Sequence, residues 1–336
     1  MDPFSTGPSM LTSAQAPALS RHRFPIAIIS LCLLSVASKA QQPSPATPID
    51  VLEIRQDIFV VTGAGANVTV QRGRDGLLLV DTKTGPASAP LLDAVRSLSK
   101  EPIRYIVNTN PLPDHAGGNE QIARVGSQIT GGNVAAAIRD AGQGAAVIAH
   151  ENALNRMVAD GAPSGAWPTE TYINSHRDLF FNGEAIRVFH RPNATTDGDS
   201  IVFFRRSDVV AVGDLFNTVS YPFIDTKHGG SISGVIDALN FIIDLTVPEA
   251  REEGGTLVVS GHGRVADEAD VVDYRDMLTI VRDRVQAMVK NGATLRTVLD
   301  AKPTADYDPR YGATKGNWTT KDFVEAVYVG LSAKGK

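Results

Sequence analysis

From residue 49 onward the chain alternates two hydrophobic rhythms. Short apolar runs at 51–54, 58–62, 67–71 and 77–80 are separated by turn-forming Asp and Gly, the pattern of successive strands. Residues 87–98 then carry apolar side chains at helical spacing, 103–107 is another short apolar strand, and 118–125 opens a second helix. A strand at 145–149 runs into a helical stretch ending near 158, and 161–167 reads as a loop. Asn182-Gly183, flanked by 179–181 and 186–189, is a strong signal for a two-residue hairpin; 201–205 and 209–212 form a second hairpin pair. An amphipathic helix at 232–245, a strand at 256–259, a long helix at 268–290 and helical pieces at 295–301 and 320–331 complete the pattern. This order predicts an α/β chain. Two βαβ-rich halves would close as a sheet-on-sheet sandwich with helices outside.

The first forty residues break the pattern. Arg21-His22-Arg23 precedes an apolar stretch at 24–37 that is short for a bilayer span, and Ser38-Lys39-Ala40 supplies small residues at the −3 and −1 positions. The expectation is a signal peptide at 1–40, cleaved before Gln41, with Met10 as an alternative start and an uncleaved anchor as the competing reading. Residues 41–48 form a Pro/Ser-rich linker, 49–290 the main domain and 291–336 a helical extension. The protein would be periplasmic or secreted, with no stable membrane span after cleavage. Its only cysteine, Cys32, falls inside the leader, so the mature chain has no disulfide and no thiolate ligand. A net charge of −5 without any Lys/Arg-rich run argues against a nucleic-acid partner. Nothing in the pattern speaks to oligomeric state.

Three polar clusters directly follow predicted strands. They are 108–119 (NTNPLPDHAGGN), Gly213-Asp214, and Ser260-Gly261-His262-Gly263. In layered α/β proteins the carboxyl ends of strands are where side chains converge on a ligand. Two aspartates and two histidines, Asp114, His115, Asp214 and His262, suit zinc or a similar first-row ion, and flanking glycines permit the turns that aim them. Taken singly, each has a bland reading: Asp114 as a helix cap, His115 as a packed imidazole, Asp214 as a helix N-cap. Two carboxylates brought together would repel, which favours a divalent cation between them.

Asp114-His115-x-Gly117-Gly118-Asn119 resembles the second half of the metallo-β-lactamase superfamily motif H-x-H-x-D-H-x-G-G-N, and Gly213-Asp214 and Gly261-His262-Gly263 resemble its later ligand motifs. Residues 196–200 are similar to the stretch that follows another ligand histidine, and 221–234 looks like a periplasmic branch of hydrolases in that superfamily. The resemblance implies the metallo-β-lactamase fold, a four-layer αββα sandwich. It also implies that Asp81 steadies the metal loop. The three histidines of the family's other metal position fall on Asn110, Leu112 and Thr195, so the resemblance implies one zinc ion per chain, held by Asp114, His115, Asp214 and His262.

Such a site is formally neutral, and should acidify water less than a cationic three-histidine zinc site does. The expected function is a slow or alkaline-favoured hydrolase of a small ester, lactone or β-lactam-like amide. Asp114 would act in catalysis, Asn110 would donate to a developing oxyanion, and Thr195 would position water. Tyr221, Phe223 and Trp167 are candidates for an apolar substrate wall. The alternative is a catalytically silent binding protein, which Leu112 favours.

Overall fold

The computed structural model describes residues 48–128 and 144–333. The expected leader and residues 41–47 of the linker lie outside the described residues. One sheet runs β1 (Asp50–Arg55), β2 (Ile58–Thr62), β3 (Val68–Gly73), β4 (Gly76–Val80), β5 (Ile103–Val107), β6 (Ala146–His150) and β7 (Glu170–Tyr172), hydrogen-bonded in that order. Its first four strands are antiparallel neighbours, and β4 to β7 are parallel. The second sheet runs β8 (His176–Phe181), β9 (Glu184–Arg191), β10 (Asp199–Phe204), β11 (Val209–Asn217), β12 (Leu257–His262) and β13 (Val265–Ala266), with only β11 and β12 parallel.

The central strands read as unbroken apolar runs because both of their faces are buried. Ile58, Val60, Leu78 and Val80 meet Val188, Val202, Phe204 and Val209 between the sheets. Their neighbours Phe59, Val61, Leu77 and Leu79 face outward onto Leu91 and Val95 of α1 (Ser88–Leu98) and Ile122 of α3 (Asn119–Arg124); α2 (Pro113–Ala116) lies between these helices in the chain. A fourth helix, α4 (Glu151–Ala159), follows β6. On the far side Ile201, Val210, Val212 and Val258 pack against α5 (Ile232–Leu245) and α6 (Glu268–Lys290). The layers are therefore αββα. Truncating one of these side chains, such as Leu78→Ala, costs about 2–5 kcal/mol.

Local chemistry accounts for the boundaries. Asn182 (φ 53°) and Gly183 (φ 70°) are both left-handed, as the tight turn between β8 and β9 requires. A reciprocal capping box of Asp267 and Asp270 starts α6. Helices α7 (Leu295–Ala301) and α9 (Thr320–Ala333), with the short α8 (Asp308–Tyr311) between them, belong to the expected C-terminal extension. They send Val298, Tyr311, Phe323 and Val327 into the same core as α5 and α6.

The expected βαβ units are present: three run consecutively from β4 to β7 and one joins β11 to β12, while the remaining strands meander. Strands β7 and β13 and helices α2 and α8, of two to four residues each, gave no periodic signal. No helix among the described residues is long and apolar enough to cross a membrane.

Candidate metal centre

Four strands build one cluster at the rim of the sandwich. Asp81 follows β4, Thr109 and Asn110 follow β5, Asp214 lies within β11, and His262 ends β12. The one-turn helix α2 begins with Pro113 and presents Asp114 and His115 in succession; no side chain caps it. Asp114 is thus free of capping duty, and Asp214, inside a strand, is no helix cap either.

Close packing demands glycine at two points. Gly213 sits at a register shift of β11 with φ 53°, and a Cβ there would come within 2.4 Å of Thr109 Oγ1. At Gly261 a Cβ would lie 2.7 Å from Asp214 Oδ1. The absence of side chains lets β11 bend toward β5 and brings Asp214 to the cluster.

The donors converge. His262 Nε2 lies 3.1 Å from Asp114 Oδ2 and 3.4 Å from Asp214 Oδ1, and His115 Nε2 lies 3.1 Å from Asp214 Oδ2 and 4.0 Å from Asp114 Oδ2. One ligand atom each from Asp114, His115 and His262 fall within 4.8 Å of one another. The two rings stand edge to face, 5.9 Å between centroids. With bonds of about 2.0–2.1 Å, tetrahedral donors sit ~3.3 Å apart; the His262–Asp114 separation already matches a shared cation, while Asp214 offers one oxygen to each histidine and stands outside the group of three. A further observation supports the fit. His115 Nε2 is fully buried and, despite Asp214 at 3.1 Å, makes no hydrogen bond of acceptable direction. Its other nitrogen, Nδ1, is 2.7 Å from Asp81 Oδ2, which leaves Nε2 as the ring atom that faces the cluster.

Charge is concentrated here. Burial opposes a proton on His115, but the carboxylates of Asp214 and Asp81 outweigh it and raise its pKa well above the ordinary histidine range. For Asp114, burial works against the charge, yet hydrogen bonding to His262 and the nearby imidazoles hold its pKa down to about 2.

The other expected site residues have different roles. Asn110 is fully buried; its amide donates to Asp214 Oδ2 at 3.1 Å while its carbonyl oxygen accepts from Leu112 N at 2.9 Å. It therefore orients Asp214, and, fully buried, it is not among the residues that line the cavity. Thr195 is also fully buried and gives its hydroxyl proton to Asp199 at 2.6 Å, so it holds that carboxylate and not a water. Leu112 lines the cavity beside the cluster. Asp81 additionally accepts from Thr109 N and Thr109 Oγ1, both at 2.7 Å. Asn119 bonds Thr82, Asn108 and Ala166 and ties α3 to the end of β5. His190 stacks on His150 with centroids 3.5 Å apart and does not replace the residue at Thr195.

The cavity has a volume of about 510 Å³, and Leu112, Tyr221, Phe223 and Trp318 form its apolar side. Trp167 is elsewhere, packed with Ala116 and Met157. Two contributors escaped the sequence reading. Trp318 had no motif around it. Lys83 is buried and donates to the carbonyls of Val61, Gly63 and Ala66, pinning the loop whose Gly65 faces Asp114.

A family model described as the metallo-beta-lactamase superfamily matches residues 61–262. Comparison with curated proteins found no match. Among solved structures, the DIM-1 metallo-beta-lactamase is similar at a TM-score of 0.52 and 15% identity, over 69% of this chain and 98% of that one. A metallo-beta-lactamase from Pontibacter korlensis gives 0.52 and 15%, over 69% and 99%. The stereoselective inverting sec-alkylsulfatase Pisa1 from Pseudomonas sp. gives 0.57 and 17% over 83% of this chain, which spans 50% of that protein. At such identities the likeness is one of fold.

Proposed function

From a chain that belongs to the metallo-β-lactamase superfamily, we propose a metal-dependent hydrolase that holds a single zinc ion and cleaves a small ester, lactone or β-lactam-like amide. The observation that carries this reading is the 3.1 Å approach of His262, at the end of β12, to Asp114 of α2, beside the orphaned Nε2 of His115. Asp114, His115, Asp214 and His262 would hold the ion, and the superfamily generally uses zinc. When bound, the ion supplies a Lewis acid that polarises the scissile carbonyl and acidifies water.

The chain's own residues do the rest. Asp81 accepts a hydrogen bond from Nδ1–H of His115 and fixes its tautomer. Asn110 keeps one oxygen of Asp214 oriented. Asp114, partly open to the cavity, would accept a hydrogen bond from the attacking water and aim it. Leu112, Phe223 and Trp318 exclude bulk water on one side.

The test is metal analysis of the purified protein, with turnover of chromogenic esters and a cephalosporin measured with and without added zinc. About one zinc per chain, with hydrolysis lost on chelation and in Asp114→Asn, is expected. Absence of bound zinc would refute the reading. A formally neutral site also predicts a rate that climbs on the alkaline side.

A second reading has its own support. Leu112 in the cavity wall and the closed hydrogen bond of Thr195 suit a silent binding protein that retains the fold. Zinc at full stoichiometry with no turnover of any probe would favour it. We also propose export, tested by whether the processed chain from a periplasmic fraction begins at Gln41.

A further inference from the structure

We propose that the cavity selects an uncharged substrate with an apolar acyl or aryl group packed on Trp318 and Phe223, and disfavours ligands carrying a carboxylate or sulfate of their own. This rests on the hydrolase reading of the same cavity and names its substrate class.

Three observations support it. Leu112, Phe223 and Trp318 make one side of the cavity apolar, with the Trp318 and Phe223 rings in edge contact at 4.8 Å. The indole is fixed in place, since its Nε1 donates to Pro222 O at 3.1 Å. Among the described residues that line the cavity none is Lys or Arg, while Asp114 and Asp214 both do. The nearby cations are engaged or outside: Arg264 pairs with Asp270, and Lys315 is exposed and does not line the cavity.

The charge argument follows. An anionic ligand needs a complementary cation, and the one imidazole that lines the cavity, His262, is already engaged with Asp114 and Asp214. A divalent ion bound by the two carboxylates leaves a formally neutral centre, with no surplus charge for a second anion. Apart from His262, the remaining polar lining is uncharged, from Thr84, Asn217, Ser220, Asn317 and the Tyr221 phenol, which suits a carbonyl or ether oxygen. A volume of about 510 Å³ admits a small acyl or aryl ligand. Trp318 and Asn317 lie outside the matched residues 61–262, so the C-terminal segment supplies part of this wall, with Leu112 and Phe223 contributed from within the matched residues.

The test pairs substrates that differ only in charge. 4-Nitrophenyl butyrate and mono-4-nitrophenyl succinate share leaving group and ester chemistry, and the butyrate should be favoured by about tenfold or more in kcat/KM. Lengthening the neutral acyl chain from acetate to butyrate should strengthen binding about fourfold per methylene. Binding is read independently by quenching of indole fluorescence with the matching anilides, N-(4-nitrophenyl)butanamide and N-(4-nitrophenyl)succinamic acid. Quenching by the butanamide at lower concentration than by the acid, and its loss in Trp318→Phe, is expected. Equal quenching by both, quenching by neither, or a preference for the anion overturns the proposal. If the butanamide binds but no ester is hydrolysed with zinc present, the cavity inference stands and the hydrolase reading fails.

Discussion

Asp81 Oδ2 lies 2.7 Å from His115 Nδ1, and this contact decides which ring nitrogen faces the cluster. The carboxylate that accepts the Nδ1–H hydrogen bond also anchors Thr109 through two further bonds, so one side chain sets both the tautomer and the loop after β5. Asp81→Ala should lower zinc affinity about 10–100-fold while leaving the far-ultraviolet circular dichroism intact. Competition against a chromophoric chelator measures it. An affinity equal to wild type would mean that His115 needs no such partner.

Gly213 and Gly330 should respond to alanine with opposite signs. At Gly213 the left-handed backbone and a 2.4 Å clash with Thr109 Oγ1 should cost about 2–3 kcal/mol and disturb Asp214. Gly330, inside α9 with open space around it, should gain about 0.5–1 kcal/mol. Urea denaturation of both variants checks the prediction.

Lys83→Met should destabilise the fold by about 2–4 kcal/mol, because it strips a donor from carbonyls of Val61, Gly63 and Ala66 in a buried setting. Zinc affinity should fall with it, since the freed loop lies against Asp114. Thermal melts with and without zinc separate the two effects. A variant that melts with wild type would show that water replaces the amine.

The stacked His150 and His190 predict acid sensitivity. Burial, and for His150 the neighbouring His190, lower the pKa of His150 to about 4 and lower that of His190 as well. The groups facing them are Tyr172, Asp197 and Arg191, and Asp197 is already paired with Arg156. Because the folded pKa lies below the unfolded one, the unfolded chain takes up protons first. Stability is complete above about pH 6.5 and is lost as pH falls toward 4. A Tm about 5 °C lower at pH 5 than at pH 7 is expected, with the drop reduced in His150→Gln.

Much of the layer order was readable in the chain. The helices at 232–245, 268–290 and 295–301 begin and end where the amphipathic spacing and the caps place them, and Asn182-Gly183 marks its hairpin. Those features depend on neighbours a few residues apart, which a sequence displays directly. The short elements β7, β13, α2 and α8 did not show, because their stability comes from packing and not from periodicity.

The ligand candidates were also legible, as polar residues with glycines after apolar strands. What each side chain does there was not. Asn110 and Thr195 had the right chemistry for catalysis, yet their hydrogen bonds go to Asp214 and Asp199, partners 104 and 4 residues away. Trp318 and Lys83 carry no local signal, since one reaches the cavity from the far end of the chain and the other is buried only because three carbonyls surround it. Local sequence determined which residues could ligate and which segments could be strands or helices. The tertiary structure alone decided which donors meet, which are already spent on one another, and what lines the space beside them, because those outcomes depend on contacts between residues that only the folded sandwich brings together.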